Sequence, residues 1–163
     1  MAVSTEKTKE SEYLKSYLSR LSAGDTWGHQ YVLLLGLQTF DAVDLMRKVQ
    51  TGLPFRAFER FMGSLDLPKS LVCTFTQIPA RTLSRRKQEG KLLPEESDRL
   101  LRASRIFALA LQLFEGDVAA TRAWLVSPQA ALGGTSPLEF ASTDLGAREV
   151  ESLIGRLEYG IPS

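Results

Sequence analysis

Residues 94–116 read PEESDRLLRASRIFALALQLFEG, the longest and most apolar helical segment that this sequence predicts. Pro94 suits the first helical position, where its missing N–H would be unpaired anyway, and the acidic residues after it favour the positive end of the helix dipole. Beyond Ile106 apolar residues cover nearly every side, so we expect a buried helix. It is too short and too charged at its start to span a bilayer, which takes about 20 apolar residues. A basic segment precedes it and an acidic one follows, so this helix is expected to join two functional halves.

The composition is that of an ordinary globular protein. The 163 residues are 44% hydrophobic and 24% charged with a net charge of +1, so any nucleic-acid site must be a local patch. One cysteine, Cys73, and one histidine, His29, provide neither an internal disulfide nor a Cys/His set for zinc. The single cysteine fits a reducing cytosol, and because the N-terminus lacks an early apolar region we expect a cytoplasmic protein with no membrane role. We also expect no metal and no cofactor.

Residues 1–39 form an N-terminal extension whose role the sequence does not reveal. Apolar residues at positions 13–21 predict a short amphipathic helix, whereas the run at 31–35 is either a buried helical turn or a short strand. Asp41 is then expected to cap a helix that ends at Gly52. The next helix carries three phenylalanines, which either pack inside the monomer or supply the surface of a homodimer: Phe55, Phe58 and Phe61.

Residues 67–92 have the pattern of a helix-turn-helix. One short helix is expected over Lys69–Thr76 and a second over Ala80–Glu89, joined by a tight turn at residues 77–79. Gln77 stands where many such turns have glycine. The inward apolar positions would be Val72, Ile78 and Leu83, and Cys73 is expected to be a small core residue between the two helices rather than a reactive thiol.

The second of these helices is strongly basic. Five basic residues and one acid lie between positions 80 and 91, a local charge of +4. Such a cluster is typical of a phosphate-binding face, and in this motif the start of the second helix enters the major groove. Base contacts are expected from Arg81, Thr82 and Arg85, and phosphate contacts from Arg86, Lys87 and Lys91. The alternative is a solvated basic face that pairs with the acidic start of the next helix.

The remaining chain predicts short helices. Asp117 is an N-cap, Ser136 with Glu139 forms a capping box, and the loop around Gly133 is expected to be a structural turn because no Lys-Ser/Thr of a phosphate loop follows. Ser142, Thr143 or Asp144 caps the last helix. Its core stripe is predicted to be Val150, Leu153, Ile154 and Leu157, and Gly160 ends it.

Three segments together resemble the Xre/MbcA/ParS-type antitoxins that partner RES-domain toxins. They are IPARTLSRRKQEGKLLPEESDRLLR (78–102), ALGGTSPLEF (131–140) and GAREVESLIGRLEYG (146–160), and the resemblance covers about residues 40–163. It implies an all-α protein with an Xre-like helix-turn-helix domain at 40–93 and a small helical toxin-binding domain at 94–163. Gln77 and the ending after Gly160 depart from the forms typical of the family.

The resemblance also implies a function. Members form homodimers, cover the NAD-degrading active site of the toxin with their C-terminal segment and repress their own operon, so the implied partners are a RES-domain toxin and operator DNA. On this basis the toxin contacts would be Arg156, Tyr159, Gly160, Ile161, Pro162 and Ser163. The alternative is a helix-turn-helix regulator whose C-terminal half only dimerises or senses a ligand. We do not expect an enzyme, since the scattered carboxylates are better interpreted as helix starts and exposed faces.

Overall fold

The computed structural model describes residues 2–25 and 28–160, with side chains from Glu12 onward, and contains no β-strand within these residues. The helices are α1 (Ala2–Ser22), α2 (Ala42–Thr51), α3 (Phe55–Leu65), α4 (Lys69–Thr76), α5 (Ala80–Glu89), α6 (Pro94–Leu113), α7 (Val118–Leu125), α8 (Pro137–Phe140) and α9 (Asp144–Glu158). Short 3₁₀ helices occupy Gln30–Leu35 and Ala130–Leu132. The expectation of an all-α fold is confirmed.

Helix α6 forms the centre of this fold, as its sequence predicts. Leu100, Ile106, Phe107 and Leu111 are fully buried, and helices α2, α3, α4, α7 and α9 pack around it. The helix ends at Leu113, three residues before Gly116, and the side chains of Leu113 and Phe114 are only half-buried. Because elements from both ends of the chain contact it, α6 sets their relative positions.

The N-terminal segment is part of the same core. The buried Tyr17 hydroxyl of α1 donates to the carbonyl oxygen of Ala108 at 3.3 Å and accepts from Gln112 at 3.0 Å, both on α6. The guanidinium of Arg60 on α3 lies 4.9 Å from the centre of the Tyr13 ring, a cation–π contact. The run at 31–35 belongs to a 3₁₀ helix, which resolves the choice between helical turn and strand.

The three phenylalanines of α3 pack inside the monomer. Phe55, Phe58 and Phe61 are at most 8% exposed, and the ring of Phe61 contacts those of Phe75 and Phe107 at centroid distances of 6.2 and 6.3 Å. They provide no surface for a second copy of the chain. The argument for a homodimer from these side chains was therefore wrong.

The structure confirms the helix-capping residues that the sequence predicted. The side chains of Asp41 and Asp117 accept hydrogen bonds from the backbone N–H groups three residues on, at 3.1 and 3.0 Å. Ser136 caps α8 in the same way at 3.3 Å, and of the three possible caps of α9 it is Thr143 that accepts from Gly146. Each cap satisfies a donor that a helix start would otherwise leave unpaired.

The start of α9 packs tightly against the end of α8. A β-carbon placed on Gly146 would lie 1.7 Å from the carbonyl oxygen of Phe140, whereas one placed on Gly155, further along the same helix, would meet nothing within 4 Å. The two glycines therefore separate the effect of crowding from the effect of helix propensity.

We expect Gly146→Ala to destabilise the protein by about 1–3 kcal/mol or more, because the added methyl group pushes the backbone of α9 away from the carbonyl group of Phe140. The matched control, Gly155→Ala, should be neutral or stabilising by up to about 1 kcal/mol, because alanine is the better helix former. Urea unfolding followed by circular dichroism measures both. Equal stabilities for the two variants would contradict the close packing of α8 and α9.

Candidate functional site

Helices α4 and α5 form the predicted helix-turn-helix with the predicted bounds. The three inward positions, Val72, Ile78 and Leu83, are at most 3% exposed, which confirms their assignment. Cys73 is half-buried, and burial raises the pKa of its thiol, which disfavours the reactive thiolate.

Gln77 makes the turn without a glycine. Its backbone takes a left-handed conformation with φ of 54°, which is unfavourable for a side chain other than glycine or asparagine. The side-chain amide of Gln77 donates to the carbonyl oxygen of Thr74 at 2.8 Å and so caps the end of α4. Arg99 of α6 donates to the carbonyl oxygen of Gln77 at 2.9 Å. Sequence reasoning did not single out Arg99, since nothing local links it to a turn 22 residues earlier.

Recognition-helix candidates lie on the outward face of α5. Arg81 and Arg85 are exposed, have no ion-pair partner within the described residues, and share this face with Ser84 and Gln88 because of their helical spacing. Thr82 is half-buried on one flank. Glutamine and serine side chains also read base edges, so Gln88 and Ser84 are additions that the charge pattern alone did not reveal.

The phosphate contacts expected near the end of α5 divide into two kinds. Lys87 keeps 70% of its side chain exposed and makes only a 3.8 Å contact with Glu59, and Lys91 is exposed in the loop after Gly90. Both remain available to an anion.

Arg86 is different, and the expectation of a phosphate contact there is wrong. It is 8% exposed, and its Nε donates to the two carboxylate oxygens of Glu96 at 2.6 and 3.1 Å, while Nη1 donates to Glu89 at 3.1 Å. The hydrogen bond to Glu96 raises the pKa of the guanidinium, which stays charged. The same Glu96 carboxylate accepts from the backbone N–H of Leu93 at 2.8 Å. Arg86 therefore fastens α5 to the start of α6.

The net charge differs between the two parts of the chain that the sequence predicted as separate domains. Residues 40–93 contain ten basic and five acidic residues, whereas residues 94–163 contain six basic and ten acidic residues. The helix-turn-helix half is thus positive and the C-terminal half negative, a division that favours approach of a polyanion to the first half.

The C-terminal half is a small helical unit around α9. Trp124 of α7 packs against Phe114 with ring centroids 6.1 Å apart, and Leu125 is fully buried. Gly133 and Gly134 both take positive φ in a loop closed by the hydrogen bond from Gln129 to Thr135, a structural turn as expected. None of the described residues form a cluster of metal-ligating side chains, and none of the described helices has the length and apolar character needed to cross a bilayer.

Three large apolar or aromatic side chains are exposed on α9 and directly after it. Val150, Leu153 and Ile154 face the core as predicted, but Leu157 is 41% exposed, because the last turn extends past the residues that cover the other three. Tyr159 is 80% and Leu145 72% exposed on the side of α9 that faces away from the core.

The expected toxin contacts are only partly within the described residues. Arg156 is half-buried without an ion-pair partner there, and Gly160 ends the last turn with a φ of 67°. Ile161, Pro162 and Ser163 lie outside the described residues.

Comparison with known proteins agrees with this two-part arrangement. Residues 44–105 match the Antitoxin Xre-like helix-turn-helix domain, and residues 109–160 match the Antitoxin Xre/MbcA/ParS C-terminal toxin-binding domain. An Antitoxin Xre of Yersinia enterocolitica is 34% identical over 128 residues, 78% of this chain and 86% of that protein. This chain belongs to the Xre/MbcA/ParS antitoxin family.

Other relatives carry the same name. An Antitoxin Xre of Photorhabdus laumondii is 34% identical over 113 residues, 69% of this chain and 76% of that protein. One of Pseudomonas putida is 34% identical over 84 residues, about half of each chain. The chain is thus an antitoxin of a toxin–antitoxin system, with a helix-turn-helix and a toxin-binding domain. The two domain matches meet within α6, so this buried helix serves both.

The neighbouring residues Arg85 and Arg86 should behave in opposite ways. Arg86→Ala leaves the buried Glu96 carboxylate without its partner, and we expect the melting temperature to fall by several degrees. Arg85→Ala removes the same charge from a solvent-exposed position and should leave the melting temperature unchanged. Calorimetry measures both. An Arg86→Ala variant as stable as the parent would contradict a structural role for this pair.

Proposed function

We propose that this antitoxin binds and blocks the active site of a RES-domain, NAD-degrading toxin through its C-terminal segment, and that it represses its own operon as a homodimer through its helix-turn-helix. Membership of the family supports the proposal as a whole. The observation that carries the toxin-binding part is the exposed aromatic end of α9, where Tyr159 is 80% exposed within the toxin-binding domain.

The proposed DNA surface consists of the outward side chains of α5 and the loop after it. Arg81, Thr82 and Arg85 would contact base edges, and Lys87 and Lys91 would contact phosphates. Support comes from the exposure of Arg81 and Arg85, from their lack of ion-pair partners in the described part of the chain, and from the positive charge of residues 40–93. Arginine reads guanine through two parallel hydrogen bonds, for which a free guanidinium is required.

Homodimerisation follows from how such motifs read DNA. Helix-turn-helix repressors bind two half-sites about 34 Å apart, so two copies of α5 are needed to occupy both. A dimer with two-fold symmetry supplies them in the required opposite orientations. The phenylalanines of α3 play no part in this proposal, since they are buried.

Arg81→Ala and Arg85→Ala should each weaken binding to the region upstream of the antitoxin gene by about 1–3 kcal/mol and relax specificity at one base pair. Lys87→Ala should weaken binding to all sequences alike and lower the slope of log affinity against log salt by about one. Fluorescence anisotropy over a salt series measures both quantities.

Two controls belong to this experiment. Circular dichroism must show that the variants stay folded, which their exposure leads us to expect. Light scattering on the same samples tests for a mass twice that of the 18.1 kDa chain. Undiminished affinity of the Arg81/Arg85 double variant would remove α5 as the recognition helix.

The proposed toxin surface is the end of α9 with the tail that follows it. Tyr159 would be the aromatic anchor and Arg156 the charged contact, with Gly160, Ile161, Pro162 and Ser163 completing the segment. Aromatic side chains that become buried in a partner are typical hot spots of an interface. Tyr159 is 80% exposed, and Leu157, two residues earlier, is 41% exposed. In the free protein both side chains leave apolar surface in contact with water, and burial against a toxin would remove that surface from water.

Deletion of residues 159–163 should abolish inhibition of the toxin while leaving folding and DNA binding nearly intact. Tyr159→Ala should cost about 2 kcal/mol or more in toxin affinity, whereas Tyr159→Phe, which keeps the ring, should cost much less. The measurement is NAD consumption by the purified toxin after full-length or truncated antitoxin is added. Equal inhibition by the truncated and full-length proteins would move toxin recognition to the region of Trp124 and Gly133.

A further inference from the structure

A basic cluster lies at the far end of the recognition-helix motif. It consists of Arg47 and Lys48 of α2 together with Lys91 of the loop after α5. The first two line a cavity of about 420 Å³ whose other walls include Asp44, Thr51, Gly52 and Pro54. All three basic side chains are exposed, and none has an ion-pair partner among the described residues.

Gly52 allows the two parts of this cluster to meet. Its φ is 97°, and a β-carbon there would lie 2.2 Å from the carbonyl oxygen of Leu92, so only glycine permits this approach of α2 to the loop. The stem of Lys91 lies beside Gly52, at 3.8 Å from the same β-carbon position. Backbone hydrogen bonds from Phe55 to Gly90 and from Leu92 to Leu53, at 3.0 and 2.9 Å, fix the loop in place. The end of α2 is therefore held next to the end of α5.

The acid in the cavity wall does not neutralise the cluster. Asp44 lies near the start of α2, where its backbone N–H donates to Asp41 and its carboxylate accepts a 3.5 Å hydrogen bond from Thr39. Arg47 and Lys48 lie on the following turn, and with Lys91 they give the cluster a charge of +2 even when Asp44 is counted. These exposed cations without ion-pair partners in the described residues give the surface a positive potential, which an anion would neutralise.

The cluster lies where the sugar–phosphate backbone would pass if α5 occupied the major groove. The ten residues of α5 span about 15 Å, and the major groove is about 12 Å wide. When the start of α5 lies at the base edges, its other end is at the border of the groove, where phosphates line the backbone. Contacts to phosphates there would fix the register of the helix without reading sequence.

We propose that Arg47 and Lys48, with Lys91, form a phosphate clamp that holds the DNA backbone flanking the bases contacted by α5. The proposal rests on the proposed DNA binding by α5 and extends the contact surface to α2. The ligand is a backbone phosphate of duplex DNA, because the cluster adjoins the recognition helix and belongs to the positively charged half of the chain. An acidic segment of the toxin is the competing ligand, which the test below separates.

The test is the double variant Arg47→Ala/Lys48→Ala of the full chain, titrated with a duplex of its own upstream region and with a random-sequence duplex. Loss of two phosphate contacts should lower the salt slope by about two. At 0.1 M salt this corresponds to an affinity loss of about eightfold per contact, equal for both duplexes and vanishing towards 1 M. Neutral methylphosphonates at the flanking positions should weaken the parent protein but cause no further loss in the double variant.

Two control variants make the result interpretable. Lys15→Ala removes an exposed positive charge from α1, and Met46→Ala shortens a 60% exposed side chain of α2 without a change of charge. Both should bind DNA like the parent. If the Arg47/Lys48 variant keeps the salt slope and affinity of the parent while the Arg81/Arg85 variant binds weakly, the phosphate clamp is contradicted. The assignment of α5 as the recognition helix is then still supported. Lost toxin inhibition with intact DNA binding would overturn the clamp in favour of the toxin.

Discussion

The buried ion pair between Arg86 and Glu96 is the contact on which the arrangement of the DNA-binding motif depends. Two long, charged side chains are withdrawn from water, a cost that is offset only because both carboxylate oxygens accept from Arg86 and one also accepts from the backbone of Leu93. A second contact acts beside it, where the Ser97 hydroxyl accepts from the backbone N–H of Leu53 at 2.9 Å. The start of α6 is thus fixed to α5 on one side and to the α2–α3 connection on the other. Recognition by a helix needs this kind of rigid support, since misplacement of the helix would separate its side chains from the bases.

The N-terminal segment contributes to the same support. An extension that lies outside a domain would be expected to keep its own polar surface, but Leu14 and Tyr17 are buried, and the segment that follows adds Val32, Leu34 and Leu35 to the common core. Tyr17 bonds to α6 near its C-terminal end, far from the ion pair at its start. Burial raises the pKa of this phenol, so it remains a neutral hydrogen-bond donor at physiological pH. Both ends of α6 are therefore held, one by the DNA-binding motif and the other by α1.

Local signals allowed much of this structure to be predicted from the sequence, and the main errors at the candidate site involve contacts between residues distant in the chain. The bounds of α4 and α5 and the caps at Asp41 and Asp117 follow from neighbouring residues, which are visible in one chain. Arg85 and Arg86 cannot be distinguished in this way, because only the fold shows that one faces water and the other faces Glu96. Leu157 has the spacing of a core residue, yet its exposure depends on where the covering helices end. The sequence thus predicted which helix carries the candidate DNA surface, but it could not show which basic side chains of that helix are free to contact DNA.

Helix α6 also connects the two halves of the chain through charged side chains. Arg99 donates to the turn of the helix-turn-helix, and Arg102, one turn later, lies 3.5 Å from Asp144 at the start of α9. Asp144 in turn pairs with Arg148 at 3.2 Å, so the start of α9 is joined to α6 by a short charged network. Surface pairs of this kind add little stability singly, and their effect here is geometric. One helix, buried along most of its length, therefore positions both the turn of the helix-turn-helix and the start of the last helix.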